Sequence, residues 1–146
     1  MTVIAVRDGV MASDSRGQYN GIIRPLQKIF RRDDYIIGGA GIYDDTNILI
    51  DWFVQGQAGM PDYRLIKDDD ADALLLVLCR GGKMLRVSRS GYTGDITSEF
   101  YAIGSGAVAA TAAMEMGADA IKAAEIACRI DPDCGGPIQS MRFEHD

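Results

Sequence analysis

Thr2-Val3-Ile4-Ala5-Val6-Arg7-Asp8-Gly9-Val10-Met11-Ala12-Ser13-Asp14 is the stretch on which the fold turns. Two apolar runs, residues 2–6 and 10–13, flank Asp8-Gly9, the strongest short-range hairpin signal a sequence offers. A strand beginning at the second residue is unusual, because chain termini fray unless they are tied down. It places the terminal residue deep in the fold. The hairpin also brings the end of its second strand back beside the start of its first, so Asp14 is delivered to the neighbourhood of Thr2. With Met1 removed, Thr2 carries a free α-amine next to its own hydroxyl, a nucleophile with a built-in base. Threonine at the second position is small enough for methionine aminopeptidase to act. The plainer reading is an ordinary first strand, with Asp14 a turn residue in Asp14-Ser15-Arg16-Gly17.

Composition bounds the answer. The 146 residues, 47% hydrophobic and 25% charged, fit one globular domain with a real core and no linker or internal repeat. A net charge of −6 argues against binding nucleic acid through bulk electrostatics. No apolar run reaches the ~18 residues that span a bilayer, so no membrane partner is expected. The start lacks the basic region of a secretory leader. Cys79, Cys128 and Cys134 are odd in number and lack zinc-like spacing. A reduced, cytoplasmic protein is expected. His145 is the single histidine, which removes most metal and Ser-His-Asp chemistries, and no metal is assigned.

Along the chain, residues 17–26 read as polar and mixed, residues 27–32 as a short strand carrying Lys28, and residues 35–40 as its hairpin partner, ending in Gly38-Gly39-Ala40-Gly41. Asp44-Asp45-Thr46 offers helix caps, and Ile48, Leu49, Trp52 and Phe53 mark one face of a helix that stops by Gly56. Residues 57–70 read as loop. The continuous apolar run 73–79 reads as a strand buried on both faces. Further strands are expected at 84–89, 99–103 and 137–143. Ala-rich helices are expected at 107–116, closed by Gly117, and at 120–130, capped by Asp119. Strands grouped in hairpins with clustered helices predict an α+β fold of antiparallel sheets between helical layers.

Gly104-Ser105-Gly106-Ala107-Val108-Ala109 fits G-x-G-x-x-A, with Glu125 at the spacing of a ribose-binding acid. A nucleotide-binding module is therefore one alternative. Its context is wrong, because a second helix follows where a parallel strand is needed.

Thr2, Asp14, Lys28, Gly41, Ser105 and Asp131 are each weak signals alone. In this order they resemble the proteasome β-subunit family of N-terminal-nucleophile (Ntn) hydrolases, most closely the HslV-type peptidases. The resemblance runs over nearly the whole chain. Thr2-Val3-Ile4-Ala5-Val6-Arg7-Asp8-Gly9 is similar to that family's mature start. Ser13-Asp14, Gln27-Lys28-Ile29 and Gly38-Gly39-Ala40-Gly41 fall where it keeps its Asp, its Lys and its oxyanion-hole glycine. Ala102-Ile103-Gly104-Ser105-Gly106 is the most specific match. Asp131-Pro132-Asp133-Cys134-Gly135-Gly136 resembles D-x-x-S-G-G with Cys134 in place of Ser. The segment between Trp52 and Ala73 holds one short helix where the family has two long ones.

The resemblance implies a four-layer αββα sandwich over residues 1–146 and a threonine endopeptidase acting on polypeptides. Thr2 would be the nucleophile, Lys28 an electrostatic aid balanced by Asp14, and the Gly41 N–H the oxyanion donor. Ser105 would orient the amine, with Asp131 behind it, and Gly39 and Ala40 would border the substrate. It implies no cofactor, stacked homo-oligomeric rings, and an ATP-dependent unfoldase as partner. An Ntn amidase acting on small amides and a silent structural ring subunit are the remaining alternatives. If Lys28 acts electrostatically, Lys28→Ala should lower peptide hydrolysis by orders of magnitude with little loss of folding.

Overall fold

The computed structural model describes residues 1–63 and 72–144. Part of the expected 57–70 loop and His145 lie outside these described residues. The opening hairpin forms as read: β1 (Ile4–Arg7) pairs antiparallel with β2 (Val10–Ser13), Ile4 opposite Ser13. Strand geometry begins only at Ile4, yet Thr2 and Val3 are buried in front of it.

Residues 17–26 are not irregular. β3 (Arg16–Tyr19) and β4 (Ile22–Pro25) form a hairpin around Asn20-Gly21, whose φ angles are 51° and 76°. Both turn residues adopt the positive φ that a two-residue hairpin loop demands, and Asn-Gly is well suited to it. The polar composition hid this hairpin because β4 is exposed throughout and has no apolar alternation to betray it.

β5 (Ile29–Arg32) pairs with β6 (Tyr35–Gly41), and Lys28 lies one residue before the strand. α1 (Tyr43–Val54) follows at once. The expected acidic cap is not used: Ile42 caps the helix without a side-chain bond, because its N–H continues the ladder to Asp72 O at 2.9 Å. Asp44 and Asp45 fall instead in the first turn, where negative charge suits the helix dipole. β7 (Ala73–Cys79) is the buried apolar strand expected, followed by β8 (Met84–Ser88). β9 (Thr93–Ile96) was not anticipated. β10 (Phe100–Ile103), α2 (Ala107–Glu115), α3 (Ala120–Ile130) and β11 (Gln139–Arg142) complete the chain. Asp119 caps α3 by accepting from Lys122 N at 2.7 Å.

Among the described residues, beside the two-stranded β3-β4 hairpin, the strands form two larger antiparallel sheets, ordered β10-β1-β2-β11 and β5-β6-β7-β8-β9. Three apolar clusters show how they stack. Val3, Ala5 and Ala12 meet the alanines of α2 and α3. Ile4, Val6 and Met11 meet Ile29, Ile36, Leu76 and Leu78 between the sheets. Ile37, Leu75, Val77 and Val87 meet Leu49, Ile50 and Phe53 of α1. Alternate residues of β1 thus serve two different interfaces, as a strand's period of two requires. The layers run α2/α3, sheet, sheet, α1: the αββα sandwich, with α1 the helix on its second face among the described residues.

Candidate active site

The expected catalytic residues Thr2, Asp14, Lys28, Gly41, Ser105 and Asp131 come from the ends of different elements, and the sandwich brings them to one edge. Asp14, just past β2, is 0% exposed, and Lys28, just before β5, is 5% exposed. The Lys28 Nζ lies 3.0 Å from both oxygens of Asp14 and donates to the Met1 carbonyl at 2.8 Å. A buried ion pair is tolerable only when its remaining polar capacity is satisfied. The Asp14 carboxylate meets that condition by accepting backbone N–H groups from Val3 at 3.1 Å, Arg16 at 3.3 Å and Gly135 at 3.2 Å. The Val3 and Gly135 donors were not anticipated. Gly135 belongs to the Gly135-Gly136 pair that the motif includes, so the signal was present without its meaning.

Thr2 is 7% exposed. Its N–H donates to Ser105 Oγ at 3.2 Å, and Gly106 N donates to its carbonyl at 3.0 Å. The Gly104 φ is +97°, and a Cβ there would lie 2.1 Å from the Thr2 carbonyl oxygen. Only glycine lets this turn close on β1. Because Gly106 N is spent on Thr2, and every strand pairing in this sheet is antiparallel, the segment 104–109 does not form a dinucleotide-binding unit.

Behind Ser105, the Cys134 Sγ lies 3.8 Å from Ser105 Oγ and donates to Asp131 Oδ2 at 3.4 Å. Asp131 Oδ1 accepts Asp133 N at 2.9 Å. Hydrogen bonding to the Ser105 hydroxyl, then to Asp133 N, holds the Asp131 carboxyl below its usual range. Burial pushes the Cys134 thiol up to about 12, so it is a neutral packing group and not a rival nucleophile.

Gly41 closes the site. In β6 the N–H groups alternate in direction: Gly39 N reaches Lys28 O at 3.1 Å on the β5 side, while Ile42 N reaches Asp72 O on the β7 side. Gly41 N–H therefore points to the β5 side. β5 begins opposite Gly38, so its ladder has ended there, and the N–H faces the open edge beside Thr2. Its φ is +120°, and a Cβ would meet Asp72 O at 2.2 Å.

The substrate side differs from expectation at Gly39. Its open side faces α1, where a Cβ would meet the Thr46 Cβ at 2.8 Å, so the room there is already filled by the helix. Ala40 does line a cleft with Thr2, Gly41 and Ser105.

No protein-family model matches the sequence, and no curated protein matches it. Solved structures do. Eukaryotic HslV from Trypanosoma brucei superposes with a TM-score of 0.74 at 24% identity, covering 99% of this chain and 100% of that one. The fold is that of HslV. Thiobacillus denitrificans BPH gives 0.71 at 23% identity, with both chains covered at 100%. The same protein in complex with epoxomicin gives 0.70 at 21%, again over both full lengths.

Proposed function

We propose that this chain is a threonine endopeptidase of the proteasome/HslV kind, silent while Met1 is attached and active once Thr2 is the terminus. The observation that carries the reading is the Lys28 ammonium. It is buried, clamped by Asp14, and its remaining donor capacity is aimed at the Met1 carbonyl, on the bond whose removal exposes Thr2.

In the processed chain the nitrogen now beside Ser105 is an α-amine. Such an amine has a reference pKa of about 7.7–8, so a useful fraction is neutral near pH 7. The adjacent Lys28 charge lowers it further. The neutral amine takes the proton of the Thr2 hydroxyl as Oγ attacks the peptide carbonyl. Gly41 N–H receives the developing oxyanion, which sits in a site already oriented for it. The amine then passes its proton to the departing amino group, leaving an ester on Thr2. Water, deprotonated by the same amine, hydrolyses the ester and restores the hydroxyl. No step needs a cofactor. Ser105, with Cys134 and Asp131 behind it, keeps the amine in place throughout.

The fold likeness to HslV supports self-association, and the further reading is a closed, stacked ring with an ATP-dependent unfoldase feeding it. A cytoplasmic setting fits the free thiols Cys79, Cys128 and Cys134. No helix among the described residues is long and apolar enough to cross a membrane.

The test is intact mass and peptide-amide hydrolysis on one sample. Protein lacking Met1 should hydrolyse and should be labelled at Thr2 by a peptide epoxyketone. Thr2→Ala should be inactive, and Thr2→Ser should keep part of the rate. Full activity in protein that retains Met1, or in Thr2→Ala, refutes the mechanism.

A further inference from the structure

Thr2 stands between two clefts of similar size and different charge. One, of about 520 Å³, is lined by Ala40, Ile42, Leu74 and Gly104, and Asp72 is its charged side chain. The other, of about 560 Å³, lies against the β3–β4 hairpin and is lined by Arg16, Gln18, Asn20, Lys28, Tyr43 and Asp133. Lys28 is already paired there with Asp14 at 3.0 Å. Arg16 is not paired. Its backbone N–H is bound by Asp14, but its guanidinium makes no hydrogen bond and no ion pair within 4.0 Å among the described residues. It lies half-buried along Gly135, its Cδ 3.6 Å and its Nη1 4.0 Å from where a Cβ of that glycine would be. Asp133, exposed on the same cleft, does not pair with it.

A partly desolvated guanidinium with five unspent donors favours a planar anion that can accept two of them at once. Gln18 and Asn20 add neutral amide donors on the same wall. We propose that the hairpin-side cleft receives a carboxylate side chain, so that the enzyme prefers Asp or Glu at one of the two positions flanking the bond it cuts. This rests on the peptidase reading given above. Asp133 opposes the preference and limits it. Charge-assisted hydrogen bonds that survive in a partly wet cleft place the effect at about 10- to 100-fold in kcat/KM.

The test uses protein whose mass shows loss of Met1, and internally quenched peptides that differ only in Glu, Gln, Lys or Leu at each flanking position. Cleavage sites are read by mass spectrometry. The expected result is a Glu-over-Gln ratio of at least tenfold at one position and near one at the other. Arg16→Gln should bring that ratio to about one, and Arg16→Ala, leaving Asp133 behind, should turn it toward Lys. Asp133→Asn should enlarge it. A ratio near one in the unmodified sequence, or an unchanged ratio in Arg16→Gln, overturns the proposal while hydrolysis of the Leu peptide leaves the peptidase reading standing. Failure to cut any peptide overturns both.

Discussion

Replacing Lys28 by methionine separates what its charge does for the fold from what it does for the reaction. Methionine fills the space of the aliphatic stem, so no large cavity is left. The cost falls on Asp14, which is 0% exposed and loses its counter-charge. Removing one partner of a buried pair typically costs about 3–5 kcal/mol. Here three backbone N–H groups, from Val3, Arg16 and Gly135, still face the carboxylate. They place the loss at the low end, about 3 kcal/mol, or roughly a hundredfold in the folding equilibrium. A domain with about 5–15 kcal/mol in hand remains folded. Asp14→Asn should cost more, because it strands the Lys28 ammonium and turns an amide NH₂ toward N–H donors. Turnover in both should fall by at least about 10²-fold, and Lys28→Arg should not restore it, since a planar fork does not replace a compact charge. Urea unfolding followed by Trp52 fluorescence, with the m-value held constant, reads the stability. A Lys28→Met protein within 0.5 kcal/mol of the parent, or an Asp14→Asn protein more stable than it, would refute the description of this pair. The burial of Lys28, 5% exposed, argues against the sequence-based expectation that it can be replaced with little loss of folding.

Two further outcomes follow from the site. Gly41→Ala must place a side chain at a φ of +120° with its Cβ 2.2 Å from Asp72 O; strain of this kind costs about 1–3 kcal/mol, so thermal unfolding should shift down and hydrolysis should drop together, and an unshifted melting curve would contradict the geometry. Cys134 should resist iodoacetamide in the native protein near pH 8 and react on unfolding. Because burial raises its pKa in the folded state, to about 12 from an ordinary 9.0, its contribution to stability is complete below pH 9 and is lost as pH rises from 9 toward 12. Native reactivity equal to that of a free thiol would contradict it.

Most of the site was legible because it is written in short punctuated stretches. Asp8-Gly9 fixed one hairpin, so the nearness of Thr2 and Asp14 could be deduced from turn chemistry alone. The run at 73–79 was plain because burial on both faces removes polar alternation, and the Ala-rich helices were plain from their composition and from Asp119 and Gly117 at their ends. What was missed lies where tertiary pairing overrides local pattern. The β3–β4 hairpin carries little apolar periodicity, and its Asn20-Gly21 signal was outweighed by polar surroundings. The cap of α1 moved because the β6–β7 ladder claims Ile42 N–H first. Gly39 reads as a cleft residue from its motif alone, but the parity of β6 puts Ile37 and Gly39 on the face that α1 covers, and Ala40 on the other. The three N–H groups on Asp14 arise from positions 3, 16 and 135, and no local reading unites them.

That dispersal has a consequence for the life of the polypeptide during synthesis. The groups around Thr2 come from the chain's first residues, from the ends of β2 and β6, and from the loops flanking α2 and α3. Ser105 is 103 residues from Thr2, and Gly135 is 121 residues from Asp14. Contacts of such separation form late, after the loops between them have closed. A nascent or partly folded chain therefore holds a threonine, a lysine and an aspartate that have not met. On the proposed mechanism, hydrolytic competence would come only when both sheets have docked and the last loop has returned to the first strand, which would make completion of the fold a safeguard against cleavage of neighbouring unfolded chains.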